Sequence, residues 1–156
     1  MTLSSRLLGP VAALATIAAL AVLAGCGDSG PSKQEFVKKA DALCAQTNKA
    51  HPPKPAPKNA KDAAKQQGEE IAIRQDLDKK LKELDVPDEA KDDFDSYNDG
   101  TQKIIAAITS MKSDAESNKE GKFAADSQAF EKAAADREKI AMKLGFKTCG
   151  RKNPVQ

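Results

Sequence analysis

A seam of apolar and small residues at heptad spacing constrains the fold of this 156-residue chain more than any other feature. Its members alternate steps of four and three residues: Ala90, Phe94, Tyr97, Thr101, Ile104, Ile108, Met111 and Ala115. This spacing is typical of helices that pack at a shallow angle. Asn98-Asp99-Gly100 has the composition of a turn, yet the seam stays in phase across these three residues. Because the register continues, we predict one helix here, with at most a kink at the glycine.

The first helix is predicted from a capping signal. Ser32 and Glu35 have the spacing of a capping box, in which each side chain accepts a hydrogen bond from the other residue's backbone. The residues that follow at helical spacing form its buried face: Phe36, Ala40, Leu43, Cys44 and Thr47. The helix ends before the sequence HPPKPAPK, since consecutive prolines lack amide donors and clash with the preceding turn.

The remaining helices follow from apolar stripes and turn signals. The second covers about residues 61–84, and the turn LDVPDEA, with Pro87, separates it from the heptad-seam helix. The last covers about residues 122–144, and Gly145 suits the left-handed position after a helix end. No strand-like alternation is present. The sequence therefore predicts an all-α fold, a small four-helix bundle with a Pro-rich crossover after the first helix.

The N-terminal segment has the layout of a secretory signal. Arg6 precedes an uncharged apolar run over residues 7–25. A retained transmembrane helix is the alternative, since about 20 apolar residues span a bilayer. Gly9 and Pro10 shorten the strongly apolar part, and no basic residue follows before Lys33. The flank that would stop translocation is therefore missing.

Leu23-Ala24-Gly25-Cys26 resembles the lipobox of bacterial lipoproteins. In that family the cysteine receives a diacylglyceryl group and becomes the N-terminus after cleavage. The resemblance implies a signal peptide over residues 1–25, lipidation of Cys26 and a tether over residues 26–31. A chance cysteine after a conventional signal peptide is the alternative. Two acyl chains such as palmitate, at about 0.8 kcal/mol per buried CH₂, give stable attachment. The expected location is the outer face of the cell membrane.

The other two cysteines, Cys44 and Cys149, are expected to form a disulfide, because exported chains commonly pair an even number of cysteines. The bond would span 149 − 44 = 105 positions, a loop worth about 4.7 kcal/mol on the chain-entropy model. Two free thiols and half of a metal site are the alternatives. Metal is disfavoured because His51 is the single histidine and no CxxC pair exists.

The disulfide also suggests a topology for the helical domain, residues 32–150, which precedes a short tail over residues 151–156. The linker, residues 51–60, reaches about 31 Å at 3.1 Å per residue, enough to return along the whole bundle. We therefore expect the first helix to run parallel to the second and the fourth. This direction would bring Cys44 beside the C-terminal tail.

Charge and motifs exclude several functions. Without Arg6, 25 − 1 = 24 basic residues stand against 23 acidic ones, which gives no reason to expect nucleic acid as a partner. No Walker loop, zinc motif, GxSxG or SxxK is present. His51 precedes Pro52 in the linker, a poor place for a catalytic group. We therefore expect no catalytic residues, no cofactor and no metal, and hence no enzyme.

An acidic run over residues 92–100 has part of the pattern of a calcium loop. Placing Gly100 at position six puts Asp95 at one and Asp99 at five. Tyr97 then falls at position three and Ala106 at twelve, where oxygen ligands are needed. The run is therefore expected to be a solvated helix face.

Two features of the sequence remain as candidates for binding: a pair of arginines and a proline-rich run. Arg74 and Arg137 fall on otherwise apolar stripes, where they either frame an anion site or extend from the bundle edge into water. The run PKPAPK, residues 53–58, is either a semi-rigid spacer or a ligand for an aromatic groove, lipid headgroups or wall polymers.

The chain resembles a group of small, uncharacterised actinobacterial lipoproteins. The matching elements are the lipobox LAGC, the helix FVKKADALC, the turn near ELDVP and the C-terminal LGFKTCG, and the spacing of the two cysteines is the most specific. The resemblance implies location and fold. The expected function is a non-enzymatic binding module at the cell envelope, with another envelope protein or a cell-wall component as partner. The alternative is a small-ligand carrier with a pocket between the helices.

Overall fold

A computed structural model describes residues 30–150. Its four α-helices are α1 Lys33–Ala50, α2 Ala60–Lys82, α3 Lys91–Glu116 and α4 Glu120–Leu144. A short 3-10 turn, Asp88–Ala90, leads into α3, and no strand occurs within residues 30–150. The predicted all-α four-helix bundle with one disulfide is confirmed. The predicted signal peptide, the lipobox with Cys26 and the tail over residues 151–156 lie outside the described residues.

Two helix ends form as their capping residues predict. At the start of α1, the Ser32 hydroxyl accepts from the Glu35 N–H at 3.3 Å, and the Glu35 carboxylate accepts from the Ser32 N–H at 3.0 Å. The Ser32 N–H and the Ser32 hydroxyl, which also donates to the Glu35 carboxylate at 3.1 Å, lower the pKa of Glu35. At the end of α4, Gly145 has a φ of 95°, and the next N–H, of Phe146, donates to the Ala141 carbonyl at 2.9 Å. Phe146 thereby folds back over the last turn.

Helix α3 occupies the centre of the bundle, because both α2 and α4 pack against it. Its seam residues Tyr97, Ile104 and Ile108 are buried, and the helix continues through Gly100 without interruption. A Cβ on Gly100 would approach the Arg137 side chain to 3.1 Å. The glycine therefore permits close approach of α4 to α3, and the predicted continuous register is confirmed.

The chain has five phenylalanines, one tyrosine and no tryptophan, and four of these aromatic side chains form one cluster. Phe36 lies edge-on to Phe94 at 5.2 Å between ring centroids, and Tyr97 lies edge-on to Phe146 at 5.3 Å. Such pairs add about 0.5–1.5 kcal/mol to the effect of burial. The cluster lies where α2 ends, α3 begins and α4 ends. We call this the aromatic end of the bundle and the opposite one the distal end.

The prediction that the first helix runs parallel to the second and the fourth is wrong. Helix α1 starts at the aromatic end, and the contacts that follow along the chain fall on earlier and earlier residues of α2. His51 shares a cleft with Arg74, Lys54 forms an ion pair with Glu69, and the Pro55 carbonyl accepts from the Gln66 amide at 3.1 Å. Helix α1 is therefore antiparallel to α2 and α4, and the Pro-rich linker continues in the same direction toward the distal end.

The length of α1 explains why this direction still permits the disulfide. With 18 residues, α1 measures about 27 Å, whereas the 26 residues of α3 measure about 39 Å. Helix α1 and the linker together cover one length of the bundle, and the tail turns back after Gly145. Cys149 thus reaches Cys44 partway along α1, with a Cα–Cα distance of 5.3 Å. The predicted disulfide is present, although the predicted path to it is not.

None of the helices within residues 30–150 is long and apolar enough to span a membrane.

Two carboxyl groups meet between α3 and α4 near the distal end. Asp114 is buried, and its Oδ2 has no hydrogen-bond partner among the described residues. Partial burial raises the pKa of Asp126 above its ordinary 3.8, and the neighbouring Asp114 carboxyl group raises it further. The pair is therefore a place where protonation of one carboxyl favours the folded state.

We expect Asp126→Asn to raise the melting temperature at pH 7 and to change it much less at pH 4. A carboxyl group whose pKa is raised on folding makes the folded state less stable as the pH increases through that pKa. The amide does not ionise, so it removes this loss of stability. Thermal melts followed by circular dichroism at the two pH values measure the effect.

Asp136→Asn on the same helix is the matched control with the opposite sign. Hydrogen bonds from Lys132 and Lys139 lower the pKa of Asp136, so its contribution is present at pH 7 and is lost as the pH falls through the folded-state pKa. A gain for Asp126→Asn that is equal at both pH values would contradict the assignment.

Candidate binding cleft

A cleft opens over α3 between α2 and α4, in the middle of the bundle. The end of α1 and the tail after α4 close its two sides. Its polar lining comes from five segments of the chain and includes Asn48, His51, Arg74, Asp78, Thr101 and Arg137. The cleft encloses about 40 Å³. Since about 10–15 Å³ holds one water on this measure, there is room for a few waters or one small polar group. We call this site the arginine cleft.

Arg137, on α4, is the central charge of the cleft. Its Cζ lies 5.0 Å from the centroid of the Tyr97 ring, and its Nη1 donates to the Thr101 hydroxyl at 3.3 Å. Its Nε is buried and has no acceptor, and no carboxylate among residues 30–150 forms an ion pair with it. Burial lowers the pKa of Arg137, as does the nearby Arg74, whereas Tyr97 and Glu138 act in the opposite direction. Arg137 therefore carries a partly buried charge without a counter-ion.

The second arginine of the cleft is already neutralised. Arg74, on α2, donates from Nη2 and Nε to the Glu70 carboxylate at 2.5 and 2.8 Å. Its Cζ also lies 5.9 Å from the centroid of the Phe130 ring on α4. The Arg74 guanidinium thus bridges the gap between α2 and α4 while its charge is balanced within one turn of α2.

The acidic side chain of the cleft is also paired. Asp78 is buried, and its Oδ2 accepts from Lys82 at 2.7 Å and from Gln102 at 2.9 Å. Its Oδ1 is buried and has no partner among residues 30–150. With Arg74 balanced by Glu70 and Asp78 balanced by Lys82, the charge of Arg137 is left over.

Tyr97 connects the cleft to the disulfide. Its hydroxyl donates to the Cys149 carbonyl at 3.1 Å, and its ring lies against the Arg137 guanidinium. Burial raises the pKa of Tyr97, so the phenol stays protonated and keeps this bond. One turn further along α3, the Thr101 hydroxyl donates to the Tyr97 carbonyl at 3.1 Å, which fixes the oxygen that accepts from Arg137.

A second cavity lies between α2 and α4 toward the distal end. It encloses about 290 Å³, and its apolar lining is formed by Ile73, Ile108, Met111, Phe123 and Phe130. The linker passes over it at Pro57, and the Oε1 of Gln67 is buried in its wall with no hydrogen-bond partner in the described part of the chain. Glu70 belongs to this wall and Arg74 to the cleft, so their ion pair separates the two. We call this cavity the apolar groove.

The candidate residues predicted from the sequence have different outcomes. For Arg74 and Arg137 the sequence allows either an anion site or a position at the bundle edge. Both residues line the cleft. His51 is exposed where α1 ends and contributes to the cleft rim. The acidic run over residues 92–100 belongs to continuous helix. Among residues 30–150, no group of three or more His, Cys, Asp or Glu side chains is placed to hold a metal ion.

The sequence does not single out the other members of the cleft. Tyr97 and Thr101 belong to the heptad seam, and Asp78 lies in no recognisable motif. The available signal is the pair of polar side chains in the seam, Tyr97 and Thr101. They lie one turn apart and are the seam positions on either side of Gly100. A glycine inside a helix often marks close approach of another element, and here that element carries Arg137.

No protein-family profile, curated protein or solved structure matches the chain.

Proposed function

We propose that this protein is a lipid-anchored extracytoplasmic lipoprotein that acts as a non-enzymatic binding module at the cell envelope. The observation that supports binding most directly is the charge of Arg137, which faces a cleft and has no counter-ion among residues 30–150. A partly buried charge of this kind costs stability unless a partner supplies the opposite charge. A ligand or partner group that enters the cleft removes this cost.

The proposed anchor also orients the domain. Residues 27–31 reach at most about 17 Å from Cys26, so the start of α1 stays near the bilayer surface. Because α1 starts at the aromatic end, this end faces the membrane and the distal end faces outward. The rim of the arginine cleft and the linker are then accessible to another envelope protein or to a cell-wall component. Nucleic acid is not a proposed partner.

A crosslinking experiment in intact cells tests the binding function. A photo-reactive residue at Asn48, on the cleft rim, is expected to capture a specific partner from the lipid-anchored protein. The same residue at Glu131, exposed on α4 and outside the cleft, is the matched control. Equal labelling from both positions, or none from either, would contradict a binding role for the cleft.

We expect Cys26→Ala to abolish incorporation of a fatty-acid analogue during metabolic labelling and to release the protein from the membrane or leave its precursor uncleaved. The reason is that the thiol is the attachment point that the LAGC resemblance implies. The double variant Cys44→Ala/Cys149→Ala is the control and should keep the label. Wild-type protein that carries no label would show that the lipobox assignment is wrong.

The second candidate function is a small-ligand carrier, and the apolar groove favours it. Its volume of about 290 Å³ is close to the lower limit of about 300 Å³ for small-molecule sites. An apolar fluorescent probe that binds with one-to-one stoichiometry should lose affinity in Phe130→Ala. A probe affinity that Phe130→Ala leaves unchanged would argue against this candidate.

A further inference from the structure

The charges that line the arginine cleft do not cancel. Arg74 is paired with Glu70 and Asp78 with Lys82, so the ion pairs of the lining leave one positive charge, on Arg137. The deficit is therefore a single negative charge, located next to one guanidinium.

The free hydrogen-bond donors of Arg137 indicate which chemical group can supply that negative charge. A guanidinium has five N–H donors in a planar fork. One donor on Nη1 goes to Thr101, and the buried Nε–H has no acceptor. The remaining three, on Nη1 and Nη2, have no acceptor among residues 30–150. Two parallel donors on such a fork match the two oxygens of a carboxylate, which carries one negative charge.

We propose that the arginine cleft binds a carboxylate group of its ligand, and that Arg137 is the residue that holds it. This inference rests on the proposed binding function and names the chemistry of its ligand. The 40 Å³ that the cleft encloses fit one small polar group, while the rest of a larger ligand remains outside the rim.

The surroundings of Arg137 hold it ready for this task. The Tyr97 ring lies 5.0 Å from its Cζ, the Thr101 hydroxyl fixes one nitrogen, and the absent side chain of Gly100 leaves space for its stem. A guanidinium already fixed in position loses less conformational entropy on binding than a free surface arginine.

The chain carries its own reporter for this site. Tyr97 is the single tyrosine and no tryptophan is present, so the intrinsic fluorescence comes from the ring beside Arg137. The mature lipidated protein in a non-ionic detergent is titrated with sodium acetate, and sodium chloride at equal ionic strength serves as the control. We expect a saturable change of emission with acetate and none with chloride. No saturable response to acetate, or the same response to chloride, would overturn the proposal.

Inorganic phosphate distinguishes a carboxylate site from a general oxyanion site. The single unbalanced charge matches a carboxylate, whereas a phosphate dianion leaves one negative charge over. Acetate is therefore expected to saturate the signal at a lower concentration than phosphate does. The reverse order would overturn the assignment to a carboxylate.

Three variants test whether Arg137 holds the anion. Arg137→Gln should weaken acetate binding at least about tenfold, because it removes a charge-assisted pair. Arg137→Lys keeps the charge and the stem but loses the fork, and should bind more weakly than wild type. Lys132→Gln removes one charge from an exposed position of α4 and should bind acetate as wild type does. Wild-type affinity in either Arg137 variant would overturn the proposal.

Arg137→Lys also keeps the test valid if Arg137→Gln fails to fold. Failure of this inference is distinguishable from failure of the binding function. Specific capture from Asn48 without an acetate response would reject only the carboxylate, whereas loss of the Asn48 capture would reject the binding role of the cleft itself.

Discussion

Replacing Cys44 and Cys149 together with alanine is expected to lower the melting temperature by about 10 °C. The bond joins positions 105 residues apart, so it closes a loop that contains the C-terminal part of α1, from Cys44 onward, and all of α2, α3 and α4. The chain-entropy model gives about 4.7 kcal/mol for such a loop, and removal of native disulfides from small secreted domains typically costs about 2–5 kcal/mol. Alanine is the suitable replacement because both sites are buried, where serine would add an unpaired hydroxyl.

The measurement is a thermal melt by circular dichroism, with and without a thiol reductant. Reductant should lower the melting temperature of the wild type to about that of the double variant and leave the variant unchanged. A non-reduced digest should contain one peptide pair joined through Cys44 and Cys149. Equal melting of the wild type and the variant, or two free thiols in the non-reduced protein, would contradict the prediction.

The helices were predictable because their signals are local. The Ser32–Glu35 capping box, Gly145 after α4 and the heptad seam each depend on residues within a few turns of one another. The seam also decided correctly between a turn and a continuous helix at Gly100. Its phase across the glycine proved more informative than the composition of Asn98-Asp99-Gly100.

The direction of α1 was not predictable in the same way. A parallel α1 would be needed for the disulfide only if α1 spanned the whole bundle and the tail continued straight beyond α4. Instead, α1 is shorter than the bundle, and the tail reverses at Gly145. Both depend on how far α1 extends along α2, a long-range property that helical spacing does not encode.

The candidate site was visible only in part. Arg74 and Arg137 were recognisable in the sequence because a charged side chain on an apolar helix stripe costs free energy unless it is paired or reaches water. The sequence did not show which of the two is paired, since Glu70 is one of several acidic residues within reach of Arg74. Asp41 gave no signal at all, because its partners lie 106 to 108 residues further along the chain.

Asp41→Ala is expected to have the second largest effect on stability. The Asp41 carboxylate, on α1, accepts from the backbone N–H groups of Lys147, Thr148 and Cys149 at 2.8–3.1 Å. Hydrogen bonds to a charged acceptor contribute about 1.5–3 kcal/mol each. Water reaches part of the tail after the substitution, so the total loss of unfolding free energy is expected to be about 3 kcal/mol rather than the sum.

Two further variants separate this contact from simpler effects. Asp41→Asn keeps one carbonyl oxygen as an acceptor and should lose less stability than Asp41→Ala. Asp95→Ala makes the same substitution at an exposed position of α3, so it reports the gain in helix propensity alone. Urea unfolding of all three variants provides the comparison, and equal stability of Asp41→Ala and Asp95→Ala would show that the contact contributes nothing.

The same contact and the disulfide hold the same tail, so their effects should not add. With the bond intact, Cys149 stays near α1 even when Asp41 is lost, and the released N–H groups remain close to a protein surface. With the bond also removed, the tail after Gly145 is free to leave α1, and Phe146 leaves the aromatic cluster with it. We therefore expect the triple variant of Asp41, Cys44 and Cys149 to lose more stability than the sum of the two separate losses. Strict additivity in urea unfolding would mean that the carboxylate and the disulfide act on the tail independently.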